Sequence, residues 1–278
     1  MKKTAILYDF DKTLCTRDMQ EYSLIPELGY DCPGDFWKEV SKLSVENGMD
    51  SISAYLYYLK KKFEDQGKAL CRDDFINLGR TIELYPGVKD WFQRINDYGK
   101  SKGLEVEHYV ISSGMSEIIE GTEIAREFTR IYACRYYYDA QGVAQWPALT
   151  INYTTKTQYI FRINKQVLDV SNDNDLNAYV DPDKRPVPFN RMIYVADGLT
   201  DVPCMKLVKQ HGGKSIVVYN PNSAQAGITA KGLIEDGRAD YMVSADYRRG
   251  GNMEQLTELI LDHMSADAKL EDLEGKCR

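Results

Sequence analysis

A short apolar run near the start of the chain, Ala5–Tyr8, ends abruptly in Asp9 and Asp11, with Thr13 two residues further on. The run has the length and composition of a buried parallel strand. Two carboxylates at the exit of such a strand repel one another and lose hydration. A chain keeps the pair when a cation or a chemical task compensates. Exposed loop aspartates are the plainer reading of D-x-D-x-T alone, but the strand directly in front and the later motifs argue against it.

After Thr16 the pattern turns helical. Met19, Tyr22, Ser23, Ile25 and Pro26 predict a short helix ended by Gly29, and Gly34–Asn47 a second. In the third, Ile52, Tyr55, Leu56, Leu59 and Phe63 recur at helical spacing, with Ser51 as cap. The tyrosines of YLYYL read as packing residues. Asp73–Leu84 is the fourth. One strand followed by four helices exceeds a single crossover connection. The expectation is therefore an inserted helical domain over 17–84 and a discontinuous core of 1–16 and 85–278.

Pro86-Gly87 marks the return to the core, and Val88, Trp91, Phe92, Ile95 and Tyr98 give the apolar face of a helix closed by Gly103. A second buried strand, Glu107–Ile111, stops at Ser112-Ser113-Gly114, and Ser116–Phe128 reads as helix. Arg130–Ile151 reads as a β-hairpin turning at Asp139–Gly142. Thr154 or Thr155 would cap a helix starting at Lys156. Ser171–Pro188 is a solvated loop; its aspartates lack the glycine and closing glutamate of an EF-hand. The third buried strand, Met192–Ala196, ends at DGLTD (Asp197–Asp201). A helix to His211, strand Ser215–Tyr219, helix Ala224–Ile234, strand Tyr241–Ser244 and helix Asn252–Met264 complete the pattern, with a polar tail expected to fray or pack loosely.

The net charge of −7 argues against nonspecific binding to nucleic acid or an acidic membrane. The cysteines (Cys15, Cys32, Cys71, Cys134, Cys204, Cys277) are scattered without a C-x-x-C pair and read as reduced thiols. The apolar run after Met1-Lys2-Lys3 breaks at Asp9, too early for a signal peptide, and no run is long enough to span a membrane. A cytoplasmic protein is expected.

Three buried strands thus end in polar clusters: Asp9/Asp11/Thr13, Ser112/Ser113 and Asp197/Asp201. In an open parallel sheet, residues past the carboxyl ends of neighbouring strands meet in one crevice. Lys156, at a helix start, could join them. Carboxylates beside a lysine and a hydroxyl make a cation site next to an anion site, and hard oxygen ligands suit Mg²⁺. The histidines (His108, His211, His263) are not placed for zinc.

Taken together, DFDKTLCT, Ser112, Lys156 and DGLTD resemble the haloacid dehalogenase (HAD) superfamily, specifically its phosphatases, and the helical insertion resembles the cap of the phosphoserine phosphatase-like branch. The resemblance covers the core from Thr4 to about Tyr219. It implies an α/β, Rossmann-like core with a mainly parallel sheet and a C1-type helical cap. It further implies a Mg²⁺-dependent phosphatase of a small phosphorylated metabolite, working through an aspartyl-phosphate. Asp9 would be the nucleophile and Asp11 the general acid and base, its backbone carbonyl also touching the metal. Asp197 would complete the Mg²⁺ site formed with Asp9 and Asp11. Asp201 would hold the metal from nearby or orient Lys156, with Thr13 in support. Ser112 (or Ser113) and Lys156 (or Lys165) would bind the phosphate.

The acid at Asp11 favours phosphatase over dehalogenase, since halide needs no proton to leave. Phosphotransfer to an alcohol is the alternative enzyme reading, and a non-catalytic Mg²⁺ or phospholigand module the alternative class. Asp18 either caps the helix at Met19 or, as the resemblance implies, pairs with a substrate amine, with Arg72 or Arg80 as candidates for a substrate carboxylate.

Overall fold

The computed structural model describes residues 1–277, with side chains through residue 274. Arg278 and the Cys277 thiol lie outside the described residues. Strand β1 (Lys2–Tyr8) is followed by a helical excursion: a 3₁₀ turn at Met19–Glu21, then α1 (Leu24–Glu27), α2 (Pro33–Asn47), α3 (Ser51–Asp65) and α4 (Arg72–Gly79). Helix α5 (Val88–Ser101) leads into β2 (Leu104–Met115) and the short α6 (Ser116–Glu120). Strands β3 (Arg130–Tyr138) and β4 (Ala144–Leu149) precede α7 (Lys156–Lys165) and α8 (Asp173–Asn177). The chain ends with β5 (Met192–Ala196), α9 (Val202–Gln210), β6 (Lys214–Tyr219), α10 (Ala224–Glu235), β7 (Tyr241–Ser244) and α11 (Asn252–Cys277).

The strands form one seven-stranded sheet in the order β4-β3-β2-β1-β5-β6-β7. All pairings are parallel except β3 with β4. Strand β5, beside the central β1, is buried throughout, as a strand covered on both faces must be. Helices α5 and α11 pack on each other, as do α7 and α9. The architecture is the expected α/β one. No helix among the described residues is long and apolar enough to cross a membrane.

The helical excursion leaves and rejoins the sheet through a narrow neck. Thr16 N–H donates to the Glu83 carbonyl at 3.0 Å, and Tyr85 N–H to that of Leu14 at 3.0 Å. A second link joins it to the β3–β4 hairpin, where Arg72 N–H donates to the Gly142 carbonyl and Ala144 N–H to that of Leu70.

Several expected boundaries shift, each for a physical reason. Asp50, not Ser51, caps α3: its carboxylate accepts from Ile52 and Ser53 N–H at 3.1 Å. The expected Asp73–Leu84 helix stops at Gly79, because Glu83 and Tyr85 are recruited to the neck. Strand β2 does not stop at Ser112; it pairs with β3 as far as Met115 opposite Cys134. The expected Ser116–Phe128 helix is only α6 plus a 3₁₀ turn at Ala125–Glu127, interrupted by Gly121-Thr122. Neither Thr154 nor Thr155 caps α7 by its side chain; Asn152 Oδ1 accepts the Thr154 and Thr155 N–H groups instead. The 171–188 segment contains α8 and a 3₁₀ turn at Pro182–Lys184. The tail continues α11, held by Lys2 on Asp272 at 2.7 Å and by Ser265 on the Lys102 carbonyl.

The return into α5 requires glycine. Gly87 has φ +83, and a Cβ there would lie 2.3 Å from Arg248 N. Gly103 has a similar φ, +82, but open space around it. Gly87→Ala should therefore cost about 2–4 kcal/mol in chemical denaturation, and Gly103→Ala only about 1 kcal/mol. Equal losses would show that the close approach at Gly87 does not matter.

Candidate active site

The sheet order places β2, β1 and β5 side by side, so their carboxyl ends bring the predicted clusters together. Asp9 leaves β1 with its N–H still donating to the Val195 carbonyl of β5 at 2.9 Å. The following turn hangs on the Phe10 carbonyl, which accepts from Leu14 N–H at 2.9 Å, while Tyr247 OH donates to the Thr13 carbonyl at 2.8 Å. Lys12 takes φ +55 to complete it, a left-handed conformation rare for a residue with a side chain.

Lys156, the first residue of α7, is 1% exposed. Its ammonium lies 2.9 Å from Asp9 Oδ1 and 2.7 Å from Asp201 Oδ1. Asp201 is fully buried and also accepts from Tyr194 OH at 2.6 Å and Thr200 Oγ1 at 3.0 Å. Burial opposes the charge on Lys156, but the Asp201 and Asp9 carboxylates outweigh it and push its pKa up. Ser112 Oγ accepts from Gly114 N–H at 3.0 Å, leaving its own proton for a ligand. Thr13 and Ser113 have buried hydroxyls without a protein partner.

Oxygens of Asp9, Asp197 and Asp201 lie within 4.8 Å of one another. Burial, only partly offset by Lys156, pushes the Asp9 carboxyl up to about 7. Burial and the Asp9 and Asp201 charges push Asp197 up to about 8. Three carboxylates against one ammonium is an excess of negative charge, and the donor set is all oxygen, which fits a hard divalent cation. The Asp11 carboxylate lies outside this cluster. Its Oδ1 accepts from Met19 N–H at 2.8 Å, and burial together with Asp18 and Asp9 pushes it well above the usual carboxylate range.

Asp9, Asp11, Ser112, Lys156 and Asp197 line one cavity of about 330 Å³; Asp201 and Thr13 do not. The cavity also takes in Asp18, Ser113 and residues the sequence did not mark for the site: Lys12, Gln20, Trp37, Ile52, Tyr153 and Leu199. Tyr55, read from the sequence as packing alone, lines it too. Lys12 directly follows Asp11 in the motif and was open to notice; the rest come from scattered segments without a shared signal.

Other candidates fall away. Lys165 donates to the Leu176 and Ala178 carbonyls, pinning the 171–188 segment. Arg72 pairs with Glu120, and neither it nor Arg80 lines the cavity. Asp18 makes no side-chain cap; its Oδ2 lies 2.6 Å from Lys12 Nζ. His108 is buried between Tyr8 OH and Asn96, and burial lowers its pKa to about 3.

No protein-family model matches the chain. An uncharacterized protein of Borreliella burgdorferi is 27% identical over 276 residues, covering 88% of this chain and 92% of that one. Among solved structures, a HAD family hydrolase from Salmonella enterica serovar Typhi superposes with TM-score 0.57 at 14% identity, covering 91% of this chain and 69% of its own. A substrate-bound phosphoserine phosphatase gives 0.52 at 16% identity, covering 87% and 93%. A probable phosphoserine phosphatase from Vibrio cholerae gives 0.57 at 13%, covering 96% and 67%. The fold is that of the HAD hydrolases. Within that class, the phosphoserine phosphatases share it across most of this chain.

The raised carboxylates make a prediction about cations. Free carboxylates titrate near 4, so Asp9 and Asp197 bind extra protons in the folded protein without metal. Their contribution to stability is full below about pH 4 and is lost as pH rises through about 7 and 8. A cation needs the ionised forms. The rise in Tm on adding MgCl₂, against KCl at matched ionic strength, should therefore grow from about pH 5.5 to about pH 8.5. A shift independent of pH would place the cation elsewhere.

Proposed function

We propose that this protein is a Mg²⁺-dependent phosphatase that hydrolyses a small phosphomonoester through an aspartyl-phosphate on Asp9. The observation that carries the reading is the pairing of two differently held carboxylates at one strand exit. Asp9 touches the ammonium of Lys156, whereas Asp11 is half-buried and has no cation on its carboxylate, and desolvation with the Asp18 and Asp9 charges raises its pKa well above the usual carboxylate range. One is suited to attack and the other to donate a proton.

In the first step an Asp9 oxygen bonds to phosphorus while the bond from phosphorus to the ester oxygen breaks. The Asp11 carboxylic acid gives its proton to the departing alkoxide. In the second, water attacks the same phosphorus, Asp11 carboxylate takes its proton, and the Asp9 carboxylate leaves as phosphate is released. Lys156 and Ser112 would hold phosphoryl oxygens, and Asp201 would keep Lys156 aimed at them. Asp9 and Asp197 would hold the Mg²⁺ together with the Asp11 carbonyl, with Asp201 close by. Bound there, the ion would offset the charge that otherwise keeps a phosphate dianion from a carboxylate. Residues 17–84 would act as the cap, closing through the neck at Thr16 and Tyr85. The free cysteines, Cys15 and Cys134 among them, fit a cytoplasmic setting.

Asp9→Asn should abolish turnover while the fold persists by circular dichroism; wild-type rates would remove Asp9 as nucleophile. Asp11→Asn should slow an alkyl phosphate by about 10²–10⁴-fold and p-nitrophenyl phosphate much less, because nitrophenolate leaves without a proton. Equal losses on both would deny Asp11 the acid role.

Asp197→Ala should raise the Mg²⁺ needed for half-maximal activity by about 10–100-fold. Asp201→Ala should mainly lower kcat, by freeing Lys156. A Mg²⁺ titration with the reverse ranking would exchange the two roles.

A further inference from the structure

The cavity has a second end that the carboxylate chemistry does not use. Trp37 of α2, Ile52 and Tyr55 of α3, and Tyr153 from the segment before α7 line it. The Trp37 and Tyr55 rings are neighbours, with centroids 5.4 Å apart and planes at 45°. Phe36 backs both edge-on, at 5.1 and 6.3 Å. Tyr55 is 1% exposed, and its hydroxyl accepts from Gln20 Nε2 at 3.3 Å, so this part of the wall is fixed. Tyr153 belongs to a segment tied to the start of α3, where Asn152 Nδ2 donates to Asp50 Oδ2 at 3.0 Å.

The charges at this end are already matched. Asp18, the carboxylate that would receive a substrate amine, lies 2.6 Å from Lys12 Nζ. Among the described residues no arginine lines the cavity to receive a substrate carboxylate. An amino-acid leaving group would have to break the Lys12–Asp18 pair or bury its own charges unpaired against rings. A flat, uncharged ring meets neither cost and stacks on the aromatic wall. Rings also attract quaternary ammonium groups, which makes phosphocholine the control for an uncharged ring.

We propose that the preferred substrate is the phosphomonoester of an uncharged, ring-bearing alcohol, in place of a phosphorylated amino acid. The proposal rests on the phosphatase reading of this site and names its leaving group. The phosphoryl group lies at Asp9, Ser112 and Lys156, and the ring between Trp37, Tyr55 and Tyr153.

The test uses the full chain with Mg²⁺ and two readouts. By calorimetry, benzylphosphonate should bind at least about tenfold tighter than 2-amino-3-phosphonopropionate. In initial rates, benzyl phosphate should exceed O-phosphoserine and phosphocholine in kcat/KM by a similar factor. Trp37→Ala should shrink this preference several-fold through KM while leaving inhibition by inorganic phosphate unchanged. Tyr153→Ala, at a position 42% exposed and tolerant of truncation, should do the same. Equal or reversed preference, a preference for phosphocholine, or a ring preference that survives both variants overturns the proposal. Failure of the phosphatase reading looks different: no ester releases phosphate, yet the two phosphonates still rank by affinity. Absence of binding by either phosphonate overturns both.

Discussion

The site depends on one buried cation held between two buried carboxylates. Lys156 reaches Asp9 from β1 and Asp201 from the segment after β5, so its ammonium joins elements far apart in the chain. Removing Lys156 would leave two carboxylates without their cation, the costly outcome for buried ions, whereas removing either carboxylate leaves the ammonium one partner. The lysine is also in an unfavourable place by local rules. It opens α7, and a positive charge at a helix N-terminus opposes the helix dipole. The carboxylates override that preference, and Lys156 N–H donates to the Asn152 carbonyl at 3.1 Å to hold the first turn. The remaining negative excess at Asp9 and Asp197 is what makes the place attractive to a metal ion.

The helical excursion is coupled to this cluster through Asp11. Met19, at its first turn, donates its N–H to Asp11 Oδ1 and packs its side chain on Gly114 of β2. A Cβ on Gly114 would sit 2.1 Å from Met19 Cε and 3.2 Å from Asp11 Oδ2. Glycine there lets the excursion lie down on the strand. That contact helps desolvate Asp11, and desolvation is the largest cause of its raised pKa. Protonation of the acid thus depends on the cover above it.

Much of this was legible where a strong apolar signal met an abrupt polar stop. Met192–Ala196 and Tyr241–Ser244 have the predicted bounds, because short apolar runs between turn residues leave little choice. The carboxylates of Asp9 and Asp197 were visible for the same reason. What failed was decided by tertiary context. Ser112-Ser113-Gly114 reads as a strand end, yet parallel pairing with β3 carries β2 through it. The polar tail reads as frayed, yet the Lys2–Asp272 pair and the Ser265 hydrogen bond hold α11. Asp18 reads as a cap, yet Lys12, turned by its left-handed backbone, takes its carboxylate. The ring wall was beyond reach, since Trp37, Tyr55 and Tyr153 share no spacing and meet only when the excursion folds over the sheet.

The strength of the cluster and the weakness of some links to the excursion have one origin, which is exposure. Two of the exposed links between the excursion and the rest of the chain are Lys12 with Asp18 and Asn152 with Asp50. The side chains of Lys12 and Asp18 are 46% and 27% exposed, so water competes for them and such a pair contributes ~0–1 kcal/mol. Lys156 and Asp201 are 2% and 0% exposed by side chain, and water does not compete there. The excursion is fastened to the sheet more firmly elsewhere, by the neck hydrogen bonds at Thr16 and Tyr85, by Arg72 and Ala144 at the hairpin, and by Met19 on Gly114.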